Sequence, residues 1–400
     1  MKRTRFARRG GLTQDAALLT RLAAGLALSA SRIEDRYWEV RLTEQVSRLL
    51  ADRNEDALNA ALDHLWREDA PAYDELADFI EAGAECGVAG EAGAECGVAG
   101  EAGKDWDAVV FAAPLLAWSR FSIPAGPIPA ATLASLKVQL SAHAFGARVK
   151  VALADYLFSP DQLPRGYVET RDLADDLGEV VRAGQDLKLE SDAMAQTTTF
   201  LSDTRYLIGI AMAPRGQALF RWQEDDGSRE HVLKQWQAQG GAVMATLLPG
   251  CAFELLPPNA YHSACREADR ASRAYSLRAS VAFLEQTLAV PASGLRAIIA
   301  PFHDQQLEEY RVAFTTSGSN QVVHGLVWAL LGAEDEETDT VGDIEAVLRE
   351  CGVTDILVLD HRMPMEYCDD CGAPMYPDPE GQPVHAELPE TGDQPPAHLH

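Results

Sequence analysis

Two cysteines and a histidine near the end of the chain are the residues whose types and spacing name a chemistry. Cys368 and Cys371 have two residues between them in Tyr367-Cys368-Asp369-Asp370-Cys371-Gly372-Ala373-Pro374, and His385 returns after thirteen further residues. A sharp turn between two such thiols lets both sulfurs reach one ion, and Gly372 permits the left-handed backbone that turn needs. Pro374 and the run Pro377-Asp378-Pro379-Glu380-Gly381 punctuate a hairpin, and residues 384–388 read as its returning strand. Two thiolates and an imidazole at this spacing suit zinc.

No second His or Cys follows His385 within three to five residues. The fourth ligand is therefore open, with His361, Cys351, Glu387 and Glu390 as candidates and His361 foremost. Four protein ligands would close the site and make it structural. Three ligands and a water would leave it open, the catalytic arrangement. Two other readings compete: an empty hairpin with reduced thiols, and a redox pair. A redox Cys-x-x-Cys opens a helix whose N-terminus lowers the thiol pKa. Here Asp369 and Asp370 intervene and Gly and Pro follow, so no helix is indicated and the carboxylates oppose the thiolate. A dication reverses that penalty, which favours metal over redox chemistry.

The elements that must position this stretch begin with helices. Leu18, Leu19, Leu22 and Leu26 recur at helical spacing over 13–30. The basic residues Lys2, Arg3, Arg5, Arg8 and Arg9 precede them in the manner of a weak signal peptide. Asp15 and Arg21 interrupt that pattern, so a mature amphipathic helix is expected. Ser31-Arg32-Ile33-Glu34 is a capping box. It opens a helix to about residue 51, with Ile33, Tyr37, Val40 and Leu50 expected on the inner face. Two short helices follow over 54–66 and 71–81. The decapeptide 81–90 is then repeated without change in 91–100. A Gly-rich perfect repeat reads as a tolerant linker and assigns Cys86 and Cys96 no metal role.

After residue 105 the period changes. Strands are expected over 107–113, 118–123 and 147–153 with a helix over 128–143. The pattern recurs as strands 206–213, 217–222 and 243–248 with a helix 228–239. It recurs again as strands 310–315, 321–331 and 355–360 with a helix 342–351. Helices over 169–189 and 261–288 connect the copies, and a strand over 295–302 precedes the third. The fold class is therefore α/β: an N-terminal helical cap, a mixed or largely parallel sheet from about three degenerate β-β-α-β units with connecting helices, and a C-terminal zinc-knuckle-like hairpin. The expected divisions are 1–83 helical, 84–104 linker, 105–200, 201–292 and 293–362 for the three units, 363–390 for the zinc hairpin and 391–400 for a disordered tail. Loops at 156–160, 253–258 and 315–320 are the default cleft walls, weighed against ordinary turns.

A chain of 400 residues with a formal net charge of −27 repels phosphate backbones and anionic lipid surfaces, so neither nucleic acid nor a membrane is an expected partner. An unidentified protein or small molecule remains, and a homo-oligomer is left open. Seven cysteines, an odd number, at these spacings suggest no disulfide framework and a reducing, cytoplasmic compartment. The sequence contains no Gly-x-Gly-x-x-Gly, no P-loop, no Gly-x-Ser-x-Gly and no His-Glu-x-x-His. Tyr261-His262-Ser263 with Cys265 puts titratable groups at a helix start, where His262 is a base, a zinc ligand or a capping residue. His324 reads as a core histidine.

Residues 29–39 (Ser-Ala-Ser-Arg-Ile-Glu-Asp-Arg-Tyr-Trp-Glu), the Cys-Asp-Asp-Cys-Gly-Ala-Pro motif at 368–374 and residues 384–389 (Val-His-Ala-Glu-Leu-Pro) resemble a proteobacterial family of unknown function. The likeness covers most of the chain, and the tandem repeat departs from it. It implies a bacterial, soluble, full-length protein whose terminal knuckle belongs to the fold, and it implies no activity. Two functional readings follow. The first is a binding, scaffold or regulatory protein with structural zinc. The second is a metal-dependent hydrolase with an open zinc and Glu387 or Asp370 as base.

Overall fold

The computed structural model describes residues 11–86, 97–99, 105–197, 201–224 and 227–388. Most of the tandem repeat and the segment 391–400 lie outside them.

Four helices form an N-terminal bundle: α1 Gln14–Ala27, α2 Arg32–Ala51, α3 Glu55–Glu68 and α4 Ala70–Glu85. Each begins at a side chain that accepts a backbone N–H: Thr13 from Ala16, Ser31 from Glu34, Asn54 from Ala57 and Asp69 from Ala72. Such caps contribute about 1 kcal/mol apiece. Leu19, Leu42, Leu49, Leu58 and Leu76 close the bundle core. One expectation is overturned. Ile33, Tyr37 and Val40 do not face inward but are 85%, 52% and 43% exposed. The inner face of α2 is Leu42, Gln45, Val46, Leu49 and Leu50. Periodicity gives the spacing of a stripe but not its phase, and α2 carries two stripes. Cys86, directly after α4, is disulfide-bonded, although the cysteine spacings suggested no disulfide framework. Cys251, Cys265, Cys351, Cys368 and Cys371 carry thiols.

Next come β1 Gly97–Ala99, β2 Asp105–Trp118, β3 Gly126–Pro127, α5 Ala130–His143, β4 Lys150–Phe158, α6 Tyr167–Ala183, β5 Ser202–Pro214, α7 Arg229–Gln235, α8 Gly241–Met244, β6 Ala252–Leu255 and β7 Asn259–Ala260. Their strands form one sheet in the order β1-β2-β5-β4-β3, with β6 and β7 also on β2. Every pairing in it is antiparallel. The strand β5, from the expected second unit, lies between β2 and β4 of the first. The sheet therefore crosses the boundary drawn at 200/201, and it is not largely parallel. Neither 217–222 nor 243–248 is a strand. The first is a loop with a 3-10 turn at Arg221–Gln223, and the second sits in α8 and the turns after it. Buried Trp236 holds a π-helical segment, Trp236–Gly240, between α7 and α8, and its Nε1 donates to Leu256 O at 3.1 Å. A short apolar run such as Val243–Leu248 fits strand or buried helix equally well.

Helix α9 Tyr261–Leu288 leads to the second sheet: β8 Leu295–Asp304, β9 Gln306–Thr316, β10 His324–Ala329, then α10 Thr340–Glu350, β11 Asp355–Val358 and β12 Met363–Pro364. The order is β10-β9-β8-β11, with β12 also on β8. Here β8–β9 and β9–β10 are antiparallel, while β11 and β12 run parallel to β8. Parallel pairing requires a crossover, and α10 supplies it. The protein is thus a mixture of helices with sheets of mixed orientation. Among the described residues no helix is long and apolar enough to cross a membrane.

Candidate metal centre

The C-terminal segment 363–388 folds back over the second sheet. Its knuckle is made by the backbone: Gly372 N donates to Cys368 O at 2.8 Å and Cys368 N to Ala373 O at 2.7 Å. Gly372 has φ +74°, a conformation that strains any residue with a Cβ. The backbone amides of Cys371 and Asp370, with the Cys371 thiol, pull the Cys368 thiol below its ordinary pKa. The carboxylates flanking the knuckle were expected to oppose this. The N–H donors prevail because hydrogen bonds to the charged form stabilise it directly.

A two-stranded hairpin follows, β13 Tyr376–Pro377 with β14 Pro383–Val384. The Asp378 carboxylate accepts the amides of Glu380 and Gln382 at 2.9 and 2.7 Å and fixes the turn. The strand β14 delivers His385 to the thiols. Cys371 Sγ lies 3.3 Å from His385 Nε2. One ligand atom from each of Cys368, Cys371 and His385 falls within 4.8 Å of the others. Ligands at about 2.3 Å for sulfur and 2.1 Å for nitrogen around a tetrahedral ion need roughly this separation. On the far side of the ring, Glu387 Oε1 lies 3.8 Å from His385 Nδ1. That distance is beyond a direct hydrogen bond, so the carboxylate is a charged neighbour of the ring rather than a bonded partner. Glu387 N in turn donates to Val322 O at 2.9 Å, tying this strand to the body.

What holds the segment down is Arg311 on β9, whose side chain is fully buried. It donates to Glu366 O at 2.7 Å and Met375 O at 2.6 Å, the carbonyls on either side of the loop that carries both cysteines. Its guanidinium carbon sits 4.1 Å from the Phe302 ring centroid and 5.1 Å from that of Tyr367. Glu309 accepts its Nε at 2.6 Å and balances the charge. Beside it, Tyr376 packs with Ile298, Ala313 and Val322. Gly325 of β10 makes room, since a Cβ there would run into the Tyr376 ring.

The structure brings together three of the residues singled out from sequence and not the rest. His361 does not converge with them: its Nε2 lies 3.3 Å from Gly381 O, on the hairpin turn. Cys351 packs with the core beneath α10, and Glu390 lies outside the described residues. Among the described residues no fourth His, Cys, Asp or Glu joins the group. His324 is a core histidine, its Nε2 3.0 Å from Ser280 Oγ. Arg311 was missed, although a Glu-x-Arg within an apolar strand was a readable sign.

A second set of titratable groups is buried where α4 meets α9. Glu85 Oε1 accepts His262 N at 2.6 Å, at the first turn of α9. Burial pushes the Glu85 carboxyl up to about 8, His262 down to about 4 and Cys265 up to about 12. Arg266 pairs with Glu81 alongside. His262 thus belongs to the junction of α4 and α9 and is not among the residues that converge at the knuckle.

A family described as "Protein of unknown function (DUF2863)" matches residues 4–399, as the resemblance implied. No curated protein and no solved structure matches the chain.

Proposed function

Starting from a chain that belongs to the DUF2863 family of unknown function, we propose that it is a binding, scaffold or regulatory protein whose C-terminal hairpin is a structural zinc site. The observation that carries this reading is the convergence of Cys368, Cys371 and His385 on a segment already clamped to a buried arginine. The donor set suits zinc: two thiolates, one of them favoured by backbone N–H groups, and an imidazole. Zinc bound here ties β14 to the knuckle and contributes on the order of 10 kcal/mol to ordering the hairpin. The partner is a protein or small molecule.

One observation favours the second reading, a hydrolase. Only three donors converge among the described residues, and Cys371 is exposed, so a fourth position faces solvent. Of the two expected bases, Glu387 does not fit. Glu387 stands beyond Nδ1, on the side of the ring away from the Cys371 sulfur. It is not placed to address a metal-bound water, and the segment clamped by Arg311 makes the structural reading rank first.

Elemental analysis of tag-free protein decides between metal and no metal. The expected result is one zinc per chain, lost in Cys371→Ala and in His385→Ala, with faster hydrogen exchange over 363–388 and unchanged exchange in the first sheet. Stoichiometric zinc in Cys371→Ala refutes the reading.

A further inference from the structure

The first half of α2 is a helix without a floor. From Arg32 to Arg41 no residue is buried, and the inner face begins only at Leu42. Yet this half presents Ile33, Tyr37 and Val40, 85%, 52% and 43% exposed, at i, i+4 and i+7. Glu44 continues the line, and Arg36 and Arg41 flank it. Together the six residues line one shallow surface groove. Half-buried Trp38 packs against the bundle and its ring meets that of Tyr37 edge-on at 5.0 Å. The Arg41 guanidinium lies 5.0 Å over the same tyrosine ring. The stripe is therefore held in place rather than loosely displayed. Ten solvated residues gain little from helix propensity alone, and an apolar seam on such a segment matches the spacing used between paired helices.

We propose that this seam docks on the same seam of a second copy, with the two α2 helices antiparallel. The charges choose both the occupant and the direction. Two molecules of net charge −27 repel, so a self-contact must place opposite charges together. Written as a heptad seam, Ile33 and Val40 take d positions and Tyr37 and Glu44 take a positions. Glu34 and Arg41 then stand at e, and Arg36 at g. A parallel in-register pair sets Arg36 of each helix against Arg41 of the other, a like-charge contact. The antiparallel pair that stacks Tyr37 on Val40 of the other copy instead puts Glu34 opposite Arg41, and brings Arg36 within reach of Glu44. The two-fold axis makes each of these ion pairs twice. In Glu34, the Oε2 atom accepts the bonds that cap the helix, from Ala30 N and Ser31 Oγ at 3.1 Å each. The carboxylate's second oxygen is the one directed to the partner. A seam this small falls short of the roughly 800 Å² per partner of a tight complex, so the dimer is weak and concentration-dependent.

Sedimentation velocity on the full chain from about 1 to about 100 μM tests it. The expected result is a monomer–dimer equilibrium that salt shifts toward monomer. Tyr37→Glu weakens it at least about 100-fold, and Ile33→Asp, which leaves the Tyr37–Trp38 ring pair in place, does the same. Arg36→Glu alone weakens it about 10-fold, and Arg36→Glu with Glu44→Arg restores it. A chain that stays monomeric at about 100 μM overturns the proposal, as does a dimer unmoved by both Tyr37→Glu and Ile33→Asp. A charge exchange that fails to restore association overturns the antiparallel arrangement.

Discussion

Replacing Arg311 by methionine keeps most of the side-chain volume and removes its charge and its five N–H donors. The two carbonyls it serves, Glu366 O and Met375 O, lose bonds of 2.7 and 2.6 Å. Each charge-assisted bond of this kind contributes about 1.5–3 kcal/mol. The Glu309 carboxylate, 13% exposed, is left without its cation. Breaking a buried ion pair by removing one partner costs about 3–5 kcal/mol. Methionine recovers part of this by packing on Phe302, so the net cost is about 3–5 kcal/mol, borne by the second sheet and the segment 363–388. Urea unfolding followed by hydrogen exchange separates the effect on this unit from the rest of the chain. Adding Glu309→Leu should restore roughly half of the loss, because the stranded carboxylate goes with it. A cost under about 1 kcal/mol, or unchanged exchange over 363–388, refutes the view that Arg311 is the clamp.

Two further outcomes follow from groups already described. Glu85 has its folded pKa raised to about 8, and His262 has its own lowered to about 4. The protonated carboxyl is the form the fold prefers, so stability falls as pH rises from the unfolded carboxyl range through about 8. Neutral His262 gives the opposite slope, losing stability as pH drops through the unfolded imidazole value toward about 4. Between about pH 6.5 and 8 the Glu85 slope therefore acts without that opposition. Glu85→Gln should flatten the melting temperature over that interval, and an unchanged slope would show that another group sets it. At Gly325 even an alanine collides with Tyr376. Gly325→Ala should cost about 1–3 kcal/mol and release the hairpin, read as faster exchange at Tyr376; a neutral substitution would mean that the ring is not seated there.

Much of the local order was legible in the residues. The helix Tyr261–Leu288 begins and ends where its apolar spacing does, and Ser31 caps α2 by accepting Glu34 N, while the Glu34 carboxylate reaches back to Ala30 N and Ser31 Oγ instead of Ser31 N. The knuckle was legible because Gly372 and two cysteines state a turn and a chemistry together. What was not legible depends on partners distant in the chain. Nothing local in Ile33, Tyr37 and Val40 says that α1 and α4 cover the other stripe of α2. Residues 243–248 read as a strand because a short apolar run has no phase; in the structure the region packs as helix and turns beside buried Trp236, whose Nε1 bonds Leu256 O. The sheet order was hidden for the same reason: β5 enters between β2 and β4, a non-local choice that spacing cannot express. His361 sits in the right part of the sequence for a ligand, yet the hairpin turn claims its ring.

The helix α9 has a mechanical meaning. Its first half, at Tyr261, Ala264 and Ala268, lies on one sheet, and its second half, at Leu277, Val281 and Leu284, lies on the other. Twenty-eight residues make a rod of about 42 Å. A rigid strut lodged in two cores leaves them little freedom to swing apart. Its near end rests on the Glu85 carboxyl, and its far half supports the sheet that carries Arg311. A tilt of this rod at either end would therefore be felt in both cores.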